Sequence, residues 1–217
     1  MSIQMIINSA QAIEVSRPAL VATTMSRSGR LFTGTRNWTK PWRFTVEPKP
    51  IWRIGDVRSI IEDIMTQDKH TEQAINLGQG GASWTIQYLG DAPKTGNQLN
   101  NITFSSITGT SAVIGNLTGL SNGQYIFRKG DIIQPVGHRY PYVVTQDVVF
   151  NTGDTTKTFS VHRGYIPQTA YSVAGAGVLV GPGVTWRVKV SNLPTYRYVP
   201  GQFVEFTGQF ELVESIL

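Results

Sequence analysis

The sequence of 217 residues contains no cysteine. It therefore forms no disulfide, and it has neither a thiol nucleophile nor a cysteine-ligated metal site. Charge is also scarce, because Asp, Glu, Lys and Arg make up 15% of the chain, against about a quarter in an average protein. Two explanations stay open: much of the surface meets other protein, or the strands carry polar faces of Thr, Ser, Asn and Gly.

Long apolar runs are missing as well. No stretch approaches the roughly 18 apolar residues that a membrane helix needs. Residues 1–7 are apolar but lack the basic segment and the long hydrophobic segment of a secretory signal. Hydrophobic residues still make up 40% of the chain, enough for a packed core. We expect a soluble, folded chain with no membrane partner.

Residues that carry chemistry are few and scattered. His70, His138 and His162 have no second histidine at metal-ligand spacing, so each is expected to be an ordinary surface or strand residue. Residues 119–123 match the G-x-S-x-G pattern of a nucleophile elbow, but the run at 124–127 is strand-like where that motif needs a helix. A hairpin turn is the better interpretation. The sequence predicts no enzyme, no catalytic residue, no metal and no cofactor.

The net charge of +5 raises the question of nucleic acid. The densest basic stretch, residues 17–58, includes Trp38, Trp42 and Phe44, and a basic groove with aromatic platforms can bind single strands. The same alternation is typical of a strand whose basic side faces solvent or a neighbouring subunit. Because the basic residues are spread along the whole chain, we expect no specific nucleic-acid binding.

The end of the chain alternates apolar and polar residues. Such period-two order is typical of strands with one buried face and one polar face. We predict that residues 184–191 and 202–214 pair antiparallel. The apolar positions are Val184, Trp186, Val188 and Val190, followed by Val204, Phe206, Phe210 and Leu212.

A single helix is predicted at about residues 56–68. Its apolar residues recur at i, i+3, i+4, i+7 and i+8, which places them on one stripe. Asp56 is well placed to cap its first turn. A helix of this length, roughly 20 Å, suits a position across a sheet. The stripe consists of Val57, Ile60, Ile61, Ile64 and Met65.

Strand patterns flank this helix on both sides. We predict a mainly β fold, a β-sandwich or split β-barrel with one flanking helix, formed by residues 1–94 and 175–217. Residues 95–174 are predicted to form an inserted small β-barrel domain, followed by a glycine-rich hinge at 175–183. Strands are expected at 5–7, 13–15, 19–21, 30–33, 38–46, 74–77 and 84–89, and in the insert at 102–104, 112–114, 131–134, 142–145 and 158–162.

Several segments resemble the distal tail proteins and tail-tube proteins of long-tailed bacteriophages. Residues 26–30 (SRSGR), the strand at 38–46 and the helix that follows are similar to the first half of those proteins. The segments 186–190 and 198–206 are similar to their last strands. Within the insert, 129–133 and 142–145 are similar to the small barrel that some of them carry.

The resemblance implies a ring of six copies at the distal end of the tail tube or in the baseplate hub, joining tube to tip. It implies assembly in the host bacterial cytoplasm and a final place in the virion tail. The partners would be the chain itself and tube, hub or tip proteins. The insert is expected to project outward and to be dispensable for the ring. Expected subunit-interface residues are Arg187, Lys189, Arg197, Tyr198, Phe203 and Glu205.

A second class of function stays open from the sequence. Four of the five tyrosines in the insert would stack on sugar rings if they were exposed. The alternative is therefore a glycan-binding tail module that acts through the inserted domain. These residues are Tyr140, Tyr142, Tyr165 and Tyr171.

Overall fold

The computed structural model describes residues 3–17, 20–25, 31–36, 41–66, 71–169 and 171–216. Strands account for 43% of the residues and helices for 12%. The predicted class is confirmed: the fold is mainly β, of the sandwich or split-barrel kind, with one long helix.

The helices and strands are numbered in chain order. The described residues form two α-helices, α1 (Gln4–Asn8) and α2 (Ile54–Thr66), and two 3₁₀ turns, Ser83–Ile86 and Gly181–Gly183. The strands are β1 (Ala12–Ser16), β2 (Leu20–Met25), β3 (Leu31–Arg36), β4 (Arg43–Glu47), β5 (Ile51–Arg53), β6 (Gln73–Ile75), β7 (Lys94–Thr95), β8 (Gln98–Thr108), β9 (Ser111–Gly115), β10 (Tyr125–Phe127), β11 (Ile132–Pro135), β12 (Tyr142–Val143), β13 (Val148–Val149), β14 (Thr156–Ser160), β15 (Gly177–Val180), β16 (Trp186–Asn192), β17 (Thr195–Val199), β18 (Phe203–Thr207) and β19 (Phe210–Glu214).

Both ends of the chain build one sandwich. A five-stranded sheet has the order β1-β4-β19-β16-β6, and a three-stranded sheet has the order β17-β18-β5. The predicted antiparallel pairing of the last segments is confirmed for β16 with β19. It is wrong for β18, which pairs with β17 and β5 in the second sheet.

The core of this sandwich lies between the two sheets. Trp186, Val188 and Leu212 are fully buried, whereas Arg187 between them is exposed, as the alternation predicts. Val57, Ile60 and Ile61 of the predicted α2 stripe close one side of the core and are at most 3% exposed. Met65, predicted on the same stripe, is 63% exposed. The helix begins at Ile54, two residues earlier than predicted, and is described as far as Thr66. The predicted end at residue 68 lies outside the described residues.

A second, curled sheet has the order β12-β11-β15-β8-β9-β14, with β7 added to β8. Its two end strands approach each other, because Thr145 N donates to Ser160 O at 3.0 Å and Val144 bridges Val161. A separate core of aromatic and aliphatic side chains fills the curl, including Phe104 and Phe127, which are fully buried. The glycine-rich segment predicted as a hinge supplies β15 of this sheet.

Three local predictions are wrong. Residues 5–7 lie in helix α1, where Ile6 and Ile7 are both buried, as consecutive residues of a one-face strand would not be. The 84–89 segment begins with a 3₁₀ turn in place of a strand. Residues 34–36, between the strands predicted at 30–33 and 38–46, continue strand β3, which pairs with β2. Residues 26–30, 37–40 and His70 lie outside the described part of the chain.

Candidate subunit interface

The hairpin β17–β18 carries four of the six predicted interface residues, with Arg197, Phe203 and Glu205 on its outer face and Tyr198 on the opposite face. Arg197 faces Glu205 in the strand register, and Tyr198 faces Val204. The connecting loop turns tightly at Gly201, whose φ of 93° suits glycine. Arg197 Nε donates to Glu205 Oε2 at 2.6 Å, so these two charges satisfy each other within one chain. Phe203 lies at the start of the second strand.

A row of aromatic rings leads from the sandwich core to the surface of this hairpin. Phe210 packs on Phe206 at 5.7 Å between ring centroids, Phe206 on Tyr196 at 6.2 Å, and Tyr196 on Tyr198 at 5.9 Å. Phe210 is 1% exposed and Tyr198 is 66% exposed. The outer end of the row is therefore an anchored aromatic side chain that offers most of its surface to a partner.

The outer face of the three-stranded sheet also carries apolar side chains. Phe203 lies opposite Arg53, and Glu205 lies opposite Ile51, so all four share this face. Ile51 is 50% exposed and Phe203 is 37% exposed. Burying such side chains against another protein yields about 25 cal/mol per Å² of apolar area. The face therefore has the composition of a contact surface.

Strand β17 is an open edge of this sheet. Among the described strands it pairs with β18 alone. The outward backbone groups of a five-residue edge strand are a template for pairing with another chain. The opposite edge, β5, runs directly into helix α2 at Ile54.

The other two predicted residues, Arg187 and Lys189, lie on the five-stranded sheet instead. Both point away from its core, on strand β16, between the buried side chains of Trp186, Val188 and Val190. The sequence pattern gave their direction correctly. It did not show that Arg187 and Lys189 belong to a different sheet from the four residues of the hairpin, because pairing between strands far apart in the sequence leaves no local signal.

The curled sheet is bound to the sandwich by buried polar contacts. Arg163, which follows β14, pairs with Glu214 at the end of β19, and both side chains are fully buried. Arg163 Nη2 donates to Glu214 Oε1 and to Pro141 O, both at 2.8 Å. Trp42 N donates to Glu214 Oε2 at 3.1 Å. The sequence did not predict this pair, because no local pattern distinguishes a buried arginine from the exposed ones.

Gln134 makes a second polar link. Its Nε2 donates to Thr185 O at 3.0 Å and to His138 O at 2.8 Å, while its Oε1 accepts from Thr185 N at 2.9 Å. Gln134 is fully buried, and Thr185 directly precedes β16. In addition, Val143 of β12 packs in the sandwich core. The curled sheet is thus held against the sandwich on several sides.

The tyrosines of the insert divide into buried and exposed ones. Tyr140 and Tyr142 are at most 1% exposed, which removes them as sugar-stacking platforms. Their rings lie over the Arg163 guanidinium at 5.8 and 5.4 Å from its central carbon. Burial raises the pKa of Tyr142 to about 12. Tyr171, at 51% exposed, stays available.

His138 lies beside these rings, and the expectation of an ordinary surface or strand residue is wrong for it. The side chain is 6% exposed and packs 5.7 Å from the Tyr140 ring and 5.6 Å from the Tyr165 ring. Burial, with a smaller contribution from the nearby positive charge of Arg163, lowers its pKa to about 4. His138 is therefore neutral at ordinary pH.

A cleft of about 190 Å³ lies where the curled sheet meets the sandwich. Trp42 and Trp186 form part of its wall, and the Arg17 guanidinium lies 5.1 Å from the centre of a Trp42 ring. Thr85 contributes a hydroxyl that already donates to Ala82 O at 2.7 Å. The lining is mainly apolar with one cation. The remaining residues around it are Val15, Leu77, Ile86, Gly130, Ile132 and Val143.

The serine of the G-x-S-x-G match lies in a turn, as predicted. Gln124 N donates to Ser121 O at 3.0 Å, and strand β10 follows at Tyr125. Over the described residues, no group of three His, Asp or Glu side chains is placed to hold a metal ion. Within the same ranges, no helix has the length and apolar character needed to cross a membrane.

Comparison of the sequence with known protein families and with curated proteins gives no match.

Proposed function

We propose that this protein is a structural component of a bacteriophage tail. Copies of it form a ring, of six subunits in our proposal, at the distal end of the tail tube or in the baseplate hub. The ring connects the tube to the tip. It assembles in the cytoplasm of the host bacterium and ends in the virion.

The observation that carries this proposal is the open edge of β17, together with the exposed side chains beside it. Tyr198, Phe203 and Ile51 place apolar surface around an edge strand that has one partner among the described strands. Pairing the free backbone groups of such an edge with another chain stabilises the folded protein. In a ring of identical subunits, the edge strand of each subunit is covered by its neighbour. The sequence resemblance to tail proteins points to the same arrangement.

Fixation of the curled sheet also supports a structural role. A tail transmits force between its parts, and a component whose sandwich and curled sheet were joined by a hinge would transmit it poorly. The Arg163–Glu214 pair and the hydrogen bonds of Gln134 hold the curled sheet against the sandwich in one orientation.

The test is negative-stain electron microscopy of concentrated protein, with the molar mass measured by light scattering. We expect rings for the natural sequence. Phe203→Glu combined with Tyr198→Lys is expected to abolish the rings while the protein stays folded, because both substitutions place charge on exposed apolar positions of the hairpin. The matched control is Ser121→Glu combined with Thr152→Lys, on exposed turns of the insert, which keeps the rings. Monomers for the natural sequence at every concentration would refute the ring.

A second candidate function is glycan binding by the insert. A polar groove of about 450 Å³ contains the amides of Gln98, Asn100 and Asn101. Gln98 and Val136 both lie against Gly177, and the exposed Tyr171 ring packs over Gly137, the residue after Val136. The amides can form hydrogen bonds with sugar hydroxyls, and the exposed aromatic ring can stack on a sugar face. A glycan array decides: specific hits that disappear in Tyr171→Ala support this candidate, and an empty array rejects it.

A further inference from the structure

The outer face of the five-stranded sheet, which we call the charged face, carries acids and bases in separate regions. The register places these side chains on one side of β1, β4, β19 and β16, opposite the core. The acids are Glu14, Glu47 and Glu211, and the bases are Arg43, Arg187 and Lys189.

Strand pairing aligns the acids in one region. Glu14 and Glu211 both lie opposite Thr45, on the two strands that flank it, and Glu47 is two residues further along the same strand. Glu14 and Glu211 are therefore about 10 Å apart, which is two strand spacings. Together they form an acidic row at one end of the sheet.

The bases occupy the adjacent region. Arg43 and Lys189 both lie opposite Val213, and Arg187 is two residues from Lys189 on the same strand. This basic row is displaced from the acidic row by two residues along the strands, or about 7 Å. The charge therefore changes sign across a line between Thr45 and Arg43.

These six charges have no ion pair with one another. Among the described residues, no opposite charge lies within 4.0 Å of any of them, although five ion pairs form elsewhere. Glu14, Glu47, Glu211, Arg43 and Arg187 are exposed, and Lys189 is half-buried. The face is thus an uncovered sheet surface with segregated charge.

We propose that the charged face binds the same face of a second copy of this chain. A two-fold axis in the contact plane, along the line where the charge changes sign, places the acidic row of each copy on the basic row of the other. Such an isologous contact is self-complementary. It does not depend on the proposed ring, because a two-fold contact closes on itself; within a tail it would join two rings face to face.

The charge balance favours a second copy over other partners. The face carries three acids and three bases, so its net charge is zero. A nucleic acid or an anionic membrane would contact three carboxylates beside the three bases. Repulsion by the carboxylates would offset the attraction to the bases, so the net electrostatic contribution to binding would be small. Only a surface with the reverse arrangement matches every charge, and a second copy supplies that surface.

Exchange of charge tests the contact by sedimentation velocity at low salt. An acidic-face variant carries Arg43→Glu and Lys189→Glu, and a basic-face variant carries Glu14→Lys and Glu211→Lys. We expect the natural protein to self-associate, with association weakened roughly 10-fold or more between about 50 mM and 500 mM salt, because salt screens exposed charges. Each variant alone is expected to lose this face-to-face association, whether or not rings form, and a mixture of the two variants is expected to recover it.

The control variant carries Arg58→Glu and Lys129→Glu. Both residues are exposed and lie off the charged face, so the net charge changes as in the acidic-face variant. This control is expected to associate like the natural protein. If it loses association equally, or if the mixed variants stay apart, the proposal is wrong. Circular dichroism verifies folding, and electron microscopy scores rings separately, so failure of the ring and failure of this contact are distinguishable.

Cross-linking provides a second measurement that detects a weak contact. The chain has no cysteine, so Val213→Cys introduces a single thiol, close to the axis. We expect a short bis-maleimide to cross-link it into dimers at low salt and much less at high salt. Ser121→Cys on an exposed turn of the insert is expected to give few dimers. Equal yields from the two positions would overturn the two-fold arrangement.

Discussion

Arg163 and Glu214 form a fully buried ion pair that joins the curled sheet to the last strand of the sandwich. They are 51 residues apart in sequence. The carboxylate also accepts a hydrogen bond from the backbone of Trp42, and the guanidinium donates to Pro141 O. One contact therefore connects the beginning, middle and end of the chain.

Breaking this pair is expected to destabilise the whole protein. Arg163→Met leaves the Glu214 carboxylate buried with its main charge partner removed, which costs about 3–5 kcal/mol. Arg163→Met combined with Glu214→Leu is expected to recover much of the loss, because no buried charge remains. Urea unfolding measures both variants.

The exposed pair Arg197–Glu205 provides the control for that experiment. The Arg197 side chain is 72% exposed, so Arg197→Met is expected to cost less than about 1 kcal/mol. A cost for Arg163→Met as small as that of the control would show that the buried pair does not hold the two parts together.

Removal of the insert is expected to abolish folding. Replacing residues 95–174 by a short linker deletes Arg163, Gln134 and Val143, all of which contact the sandwich. The sequence led us to expect a projecting, dispensable insert, and these contacts argue against that expectation. Size-exclusion chromatography and circular dichroism test the deletion. A soluble, folded and ring-forming deletion variant would restore the original expectation.

Gln134→Leu is expected to destabilise the junction of the two parts. The substitution removes the partners of Thr185 N–H, Thr185 C=O and His138 C=O. Each buried polar group left unpaired costs about 1–3 kcal/mol. Gln209→Leu, at an exposed position, is the control and is expected to have little effect. Thermal unfolding distinguishes the two variants; equal melting temperatures would contradict the role of Gln134.

Stability is expected to fall as the pH drops below about 6.5. His138 has a pKa of about 4 in the folded protein, below the 6.5 of an ordinary histidine. The unfolded chain therefore takes up a proton between these values while the folded chain does not, and unfolding becomes easier by about 2–3 kcal/mol as the pH approaches 4.

His138→Gln isolates the contribution of that histidine. The variant is expected to show a flatter dependence of unfolding free energy on pH between 6.5 and 4, the two pKa values concerned. Denaturant titrations at several pH values provide the comparison. An unchanged slope in the variant would assign the acid sensitivity to other groups.

The sequence predicted much of the sandwich because burial has a period. Alternation along β16 and β19 placed Trp186 and Leu212 inside and Arg187 outside, and the stripe of α2 predicted the burial of Val57, Ile60 and Ile61 but not the exposure of Met65. In a strand or helix the direction of a side chain follows from its position alone. Local pattern was therefore sufficient for these elements.

Pairing, register and buried polar contacts were decided only by the tertiary structure. The sequence did not separate Arg187 from Arg197 into different sheets, and it did not show that Glu211 and Glu14 share a row. It gave no sign that Arg163 meets Glu214 in the interior. Such relations join residues far apart in the chain, and the free energy that selects them arises only when the whole core packs, so no local pattern records them.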